Sequence, residues 1–208
     1  MFAGHASCPP LISVALAGAN DTPRCGGFND AALDLIKRRH IPLVFMTAYW
    51  PKYVHGSELP NQGEYFDASV PPPVDNLSAP IASALDRTLS ELKQQGVSVV
   101  LVMDVPEMGH FVPEALAKAT LAGTSTDIAP PWSYIAKRQA LARAMLEKYA
   151  TKYGAAIVDP LSAFCALGRC EAARDGVPLY MDSDHITATA AKSLDYLFAP
   201  IFEVAQNI

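Results

Sequence analysis

Apolar and polar positions alternate along this chain in blocks that change period between helix-like and strand-like. From Phe28 to Arg39, Ala31, Leu35 and Ile36 recur at helical spacing, with Asn29 or Asp30 available as a cap. Pro42 to Trp50 (PLVFMTAYW) is nearly continuous in apolar residues, the pattern of a strand buried on both faces. Ala79 to Gln95 returns to an amphipathic helical period that stops at Gly96, and Val97 to Val105 (VSVVLVMDV) reads as the next buried strand. Trp132 to Tyr153 predicts a long helix carrying Ile135, Leu141, Met145 and Tyr149, closed by Gly154 ahead of a strand from Ala155 to Val158. A last helix is expected from near Thr187 to about Gln206.

Between these blocks lie two irregular stretches. Pro51 to Pro80 is rich in Pro, Gly, Ser and Asn, includes Pro71, Pro72 and Pro73, and predicts one long loop. Pro106 to Pro131 predicts irregular chain with a short helix after Pro113. Strands alternating with helices point to an α/β architecture with a mostly parallel sheet. No internal repeat is present.

Composition narrows the picture. A chain of 208 residues, 50% apolar and 18% charged, buries one sizeable core, and a single domain over residues 1–208 is expected. The net charge is −5, and the Lys and Arg residues are scattered with no run interleaved with aromatics, so nucleic acid is not an expected partner. No apolar stretch approaches the roughly 18 residues of a spanning helix, and the first residues lack the basic and apolar regions of a signal peptide. Those two features alone read as cytosolic. The four cysteines fall as two local pairs, Cys8 with Cys25 and Cys165 with Cys170, which suggests disulfides and an oxidising compartment; four reduced cysteines are the alternative. Without C-x-x-C or a neighbouring His, no metal site is expected, and no cofactor is called for.

The segment richest in chemistry is Leu179 to Ala191 (LYMDSDHITATAA), where Asp182 and His185 stand in D-x-x-H spacing just before a helix. A serine hydrolase needs a base beside its nucleophile and an acid that orients the base and stabilises its cation, and a spacing of three lets one tight turn present both. Asp184 is a second possible orienting acid. On its own the tetrapeptide also reads as a helix cap beside a surface His.

Several stretches in order, SCPPL (Ser7 to Leu11), CGGFND (Cys25 to Asp30), TAYW (Thr47 to Trp50), DVPEMGHFVP (Asp104 to Pro113), FCALGRC (Phe164 to Cys170) and GVPLYMDSDHIT (Gly176 to Thr187), resemble the SGNH domain fused to the C-terminus of bacterial membrane acyltransferases that O-acetylate surface polysaccharides. The resemblance runs over essentially the whole chain. It implies a flavodoxin-like α/β/α sandwich with the site at the carboxyl ends of the strands. It also implies His185 as general base, Asp182 as its orienting acid, and the two cysteine pairs as periplasmic disulfides. Ser7, before the CPP motif, is by the same resemblance a candidate oxyanion-hole donor through its backbone N–H. Trp50 stands where the wider group places an oxyanion-hole Asn and is a second candidate, or else a core aromatic.

The sequence departs from the family at the nucleophile. No Gly-Asp-Ser and no G-x-S-x-G occurs, and Ser183 is expected to face away from the neighbouring His. The expectation is a domain lacking the first strand and the serine it carries, through truncation or degeneration, and inactive by itself. The function implied is an acyltransferase or esterase module acting on O-acyl groups of cell-surface glycans. Its partners would be a glycan or acyl-donor substrate and an N-terminal membrane acyltransferase domain, in the periplasm. Two alternatives stand beside it: a non-catalytic glycan-binding or scaffolding domain using Trp50, Tyr49 and Tyr53, and a cytosolic α/β domain with reduced cysteines.

Overall fold

A computed structural model describes residues 1, 3–5, 8–12, 22–56 and 78–205. The chain folds as two compact units, Met1–Ser57 with Val74–Met103 and Leu141–Val158, and Glu58–Pro73 with Asp104–Ala140 and Asp159–Ile208.

The first unit is built on a parallel sheet of β1 (Leu43–Thr47), β2 (Ser98–Val102) and β3 (Ala156–Val158), in the order β1-β2-β3. Leu43 pairs with Ser98 and Thr47 with Val102, while Val100 pairs with Ala156. Val99, Val100 and Leu101 are consecutive and all buried, as expected of a central strand covered on both faces. Helix α3 (Ser78–Gln94) buries Ile81, Leu85, Leu89 and Leu92, and helix α5 (Trp132–Tyr153) contributes Ala142, Met145, Leu146 and Tyr149 to the same core. Leu141, read from the sequence as a core position, is 45% exposed; the buried stripe of α5 runs one residue later.

Helix α1 (Thr22–Arg38) begins before Phe28, so Asn29 is no cap. It lies inside the helix, buried, and its side-chain amide donates to the carbonyls of Pro9 and Leu11 at 2.8 Å each. Together with the Cys8–Cys25 disulfide and the bond from Ile12 N–H to Thr88 Oγ1, this ties the 8–12 segment to α1 and α3.

The expected strand to Trp50 stops at Thr47, and the first residues of the expected long loop form helix α2 (Trp50–His55). Pro51 explains the difference: its fixed φ and missing N–H suit a first helical turn, and Gly56 at φ 80° ends the helix in the left-handed region. The rest of that expected loop, residues 57–77, lies outside the described residues.

In the second unit, α4 (Val112–Ala122) is a full helix where a short one was expected. It is followed by the first part of α5, a short α6 (Leu161–Phe164), and two hairpins that the sequence reading missed: β4 (Cys165–Ala166) with β5 (Arg169–Cys170), and β6 (Ala173–Arg174) with β7 (Val177–Pro178). Both turns place two central residues at positive φ, Leu167 with Gly168 and Asp175 with Gly176, the geometry of the two-residue turns that match strand twist. The expected C-terminal helix is two helices, α7 (Ala188–Lys192) and α8 (Asp195–Ala205). They separate at Ser193, whose hydroxyl donates to Ala190 O and turns the chain out of the first helix. The second unit's core gathers Met108, Val112, Phe164, Leu179, Tyr180 and Leu194.

Candidate active site

The turn carrying Asp182 and His185 is closed at its base by an antiparallel bridge between Tyr180 and Ile186. Met181 N–H donates to His185 O and Thr187 N–H to Leu179 O, both at 2.8 Å. Thr187 then caps α7, its Oγ1 accepting from Ala190 N–H. The chain therefore makes a hairpin whose tip is residues 181–185 and whose exit is a helix start.

The D-x-x-H spacing works because one carboxylate serves both the backbone and the ring. Asp182 Oδ1 accepts from Asp184 N–H at 2.9 Å and from His185 N–H at 2.7 Å, an Asx-type turn. Its Oδ2 is left pointing at His185 Nδ1, 2.8 Å away. Partial burial would push the Asp182 carboxyl up, but the two backbone donors and the His185 ring outweigh it and hold the group below the usual carboxylate range. An ionised carboxylate only accepts, so Nδ1 carries the proton and donates. Nε2, across the ring, is then the basic nitrogen, on a side chain that is 71% exposed. This is the tautomer and orientation that general-base chemistry requires.

Asp184 Oδ2 stands 3.7 Å from the same Nδ1, beyond hydrogen-bond reach, and its Oδ1 accepts from the Ser183 hydroxyl at 2.7 Å. Of the two acids that the sequence left open, Asp182 is the one bonded to the ring. Ser183 is engaged with Asp184 and not with His185. The donor atoms of Asp182, Asp184 and His185 lie within 4.8 Å of one another. Asp182 has both oxygens taken by N–H donors, and Nδ1 is directed at Asp182.

The turn rests on the segment 104–112, which sequence reasoning quoted only as a motif. Met108 N–H donates to Ser183 O at 2.7 Å and Val112 N–H to Asp182 O at 3.3 Å. That segment is in turn held by α5. Arg138 makes a buried two-pronged ion pair with Glu107, with Nε 2.9 Å from Oε2 and Nη2 3.2 Å from Oε1. Gln139 Nε2 donates to Val105 O at 2.9 Å. A signal for this was present: Arg138 falls between Ile135 and Ala142 on the stripe that α5 buries, where a cation needs a partner.

The other sequence candidates behave differently. Trp50 is fully buried, and its indole N–H donates to Val102 O at 2.9 Å, fastening α2 to the end of β2. With that donor engaged inside the core, Trp50 is a core aromatic in this structure and not a presented oxyanion donor. Ser7 lies outside the described residues. Disulfides join Cys8 to Cys25 (Cα–Cα 5.3 Å) and Cys165 to Cys170 (Cα–Cα 3.9 Å). No helix among the described residues is long and apolar enough to cross a membrane.

One unit is thus an α/β fold on a parallel sheet, and the other carries a turn that presents a carboxylate-oriented histidine. The chain belongs to the SGNH domain family, of the kind fused to AT3 domains, whose model matches residues 1–200. Among solved structures it is similar to the periplasmic domain of the Salmonella ser. Paratyphi A lipopolysaccharide acetyltransferase, with a TM-score of 0.62 and 15% identity over 96% of this chain and 69% of that one. At that identity the likeness is one of fold. No curated protein matches the chain at a significant level.

Proposed function

We propose that this domain serves acyl transfer or ester hydrolysis on O-acyl groups of cell-surface glycans, with His185 as general base and Asp182 as its orienting acid. The observation that carries the reading is the bond from His185 Nδ1 to an Asp182 carboxylate that two backbone N–H groups hold ionised. His185 Nε2 takes the proton from an attacking hydroxyl and returns it to the leaving oxygen, while Asp182 stabilises the imidazolium in between. The reading identifies base and acid, and not the nucleophile, because the sequence holds no Gly-Asp-Ser. The backbone N–H of Ser7 as oxyanion donor rests on family resemblance.

The family description, a domain fused to AT3 domains, supports a membrane acyltransferase domain as its partner. The acetyltransferase whose periplasmic domain shares the fold supports a glycan O-acyl group as substrate. Two disulfides support an oxidising compartment, the periplasm.

The test is turnover of a chromogenic acetyl ester, and acetylation of the host's surface glycan, by the protein carrying this domain and by its His185→Ala variant. Loss of roughly 10³-fold or more in kcat is expected. Equal turnover by the variant overturns the reading, and retained glycan binding without His185-dependent turnover would favour a binding module.

A further inference from the structure

The hairpin that carries Asp182 and His185 presents a second exposed side chain on the face of the ring. Tyr180 and Ile186 form the bridge at its base, and both turn inward: Tyr180 is fully buried and Ile186 packs against the same core. Side chains alternate between the two faces of a hairpin, so the next pair out, Met181 opposite His185, turns outward. The bond from Met181 N–H to His185 O at 2.8 Å fixes that register. Exposure agrees, at 57% for Met181 and 71% for the His185 side chain. Directly opposed residues on one face have Cβ atoms about 5 Å apart. A methionine side chain, unbranched and with three rotatable bonds, spans that gap.

Single exposed apolar residues are ordinary on a protein surface, and it is the register that sets Met181 apart. Between it and His185 the chain holds only Asp182, Ser183 and Asp184. The Asp182 carboxylate and the Ser183 hydroxyl are engaged within the turn. Asp182 occupies Nδ1, so a substrate meets the ring at Nε2, and Met181 is the apolar side chain that the turn places on that face. Two kinds of surface hang from an acyl carbon reacting there: the alkyl part of the acyl group and the hydroxyl-rich sugar on the ester oxygen. A thioether donates no hydrogen bond and accepts only weakly, so it leaves sugar hydroxyls unmet. Against an alkyl chain it removes apolar area from water on both sides.

We propose that Met181 is a specificity-determining residue that contacts the alkyl part of the acyl group beside His185. The inference rests on the reading of His185 as general base. The flexible thioether follows alkyl chains of different length, so the contact favours acyl groups longer than acetyl in proportion to the methylenes they bury.

The contact is read by NMR and by kinetics on the protein carrying this domain, in the wild type, Met181→Leu, Met181→Ala, Met181→Gln and Leu167→Ala. Leu167, fully exposed at the tip of the β4–β5 turn, controls for apolar exposure in general. The unreactive probes are the aliphatic amides from propionamide to hexanamide, followed at the Met181 methyl and the His185 ring. Wild-type affinity is expected to rise about threefold per added methylene. On the matching p-nitrophenyl esters kcat/KM should rise in step, chiefly through KM. Met181→Leu should keep that gradient, Met181→Ala and the isosteric but polar Met181→Gln should flatten it to less than about 1.5-fold per methylene, and Leu167→Ala should leave it intact. The His185 titration midpoint should stay at its wild-type value throughout, because Asp182 holds the ring. Absence of any amide-induced shift at Met181 and His185, a gradient that survives in Met181→Ala or Met181→Gln, or one lost equally in Leu167→Ala would overturn the proposal. The expected amide gradient without His185-dependent turnover would support the Met181 contact and indict the general-base reading. His185-dependent turnover with a flat gradient would do the reverse, which separates the two failures.

Discussion

His185 Nδ1 lies 2.8 Å from Asp182 Oδ2 and 3.7 Å from Asp184 Oδ2, although both acids are within three residues of the ring. The preference comes from the backbone: Asp182 Oδ1 is pinned by two N–H groups of the turn, which fixes where Oδ2 can be, while Asp184 is drawn aside by the Ser183 hydroxyl. The two acids should therefore be unequal when removed. Asp182→Asn is expected to reduce His185-dependent turnover by about 10³- to 10⁴-fold, through loss of the correct tautomer. Asp184→Asn should reduce it by less than about tenfold, because it does not hold the ring. Kinetics of both variants on one acetyl ester check this, and equal losses would mean that the ring is shared.

The same pinning has a signature in acid. The folded-state pKa of Asp182 is lowered, so its contribution to stability is fully present above the unfolded value of about 3.8 and disappears as pH falls through the folded value. Asp182→Asn should remove that component, so wild type and variant should converge in stability at low pH and diverge above about pH 5. Urea unfolding at a series of pH values measures the convergence.

Arg138 and Glu107 are 1% and 3% exposed at their side chains, and each neutralises the other. Arg138→Met leaves the Glu107 carboxylate buried beside Asp104 and is expected to destabilise by about 3–5 kcal/mol. Replacing both at once, with Glu107→Leu, should be markedly milder than the single change, because no uncompensated charge remains. Chemical denaturation of the single and double variants decides it.

Trp50 offers a cleaner structural test. Trp50→Phe keeps an aromatic ring in the core but leaves the Val102 carbonyl without its indole donor, and a loss of about 1–3 kcal/mol is expected. Because this donor faces the core, the variant should retain the His185 titration midpoint of the wild type. A shifted midpoint would show that Trp50 reaches the site after all.

Much of this protein is determined locally and was legible in its sequence. The period of apolar residues marks α3, α5 and the three parallel strands, because burial on one helical stripe or on both strand faces must be written into consecutive residues. The D-x-x-H turn is also local: a carboxylate that accepts from N–H groups two and three residues on will meet a ring at the third residue wherever the turn sits. Other features depend on groups distant in the chain. Asn29 as a clamp on Pro9 and Leu11, Trp50 as a donor to Val102, and Glu107 as the partner of Arg138 join residues 18 to 52 positions apart, and no period or spacing encodes which buried polar group finds which. Only the tertiary structure decided those pairings. A buried donor, acceptor or charge must be matched by whatever the packed chain brings within about 3 Å, and for Arg138 that match is Glu107 in the segment beneath the acid–base turn.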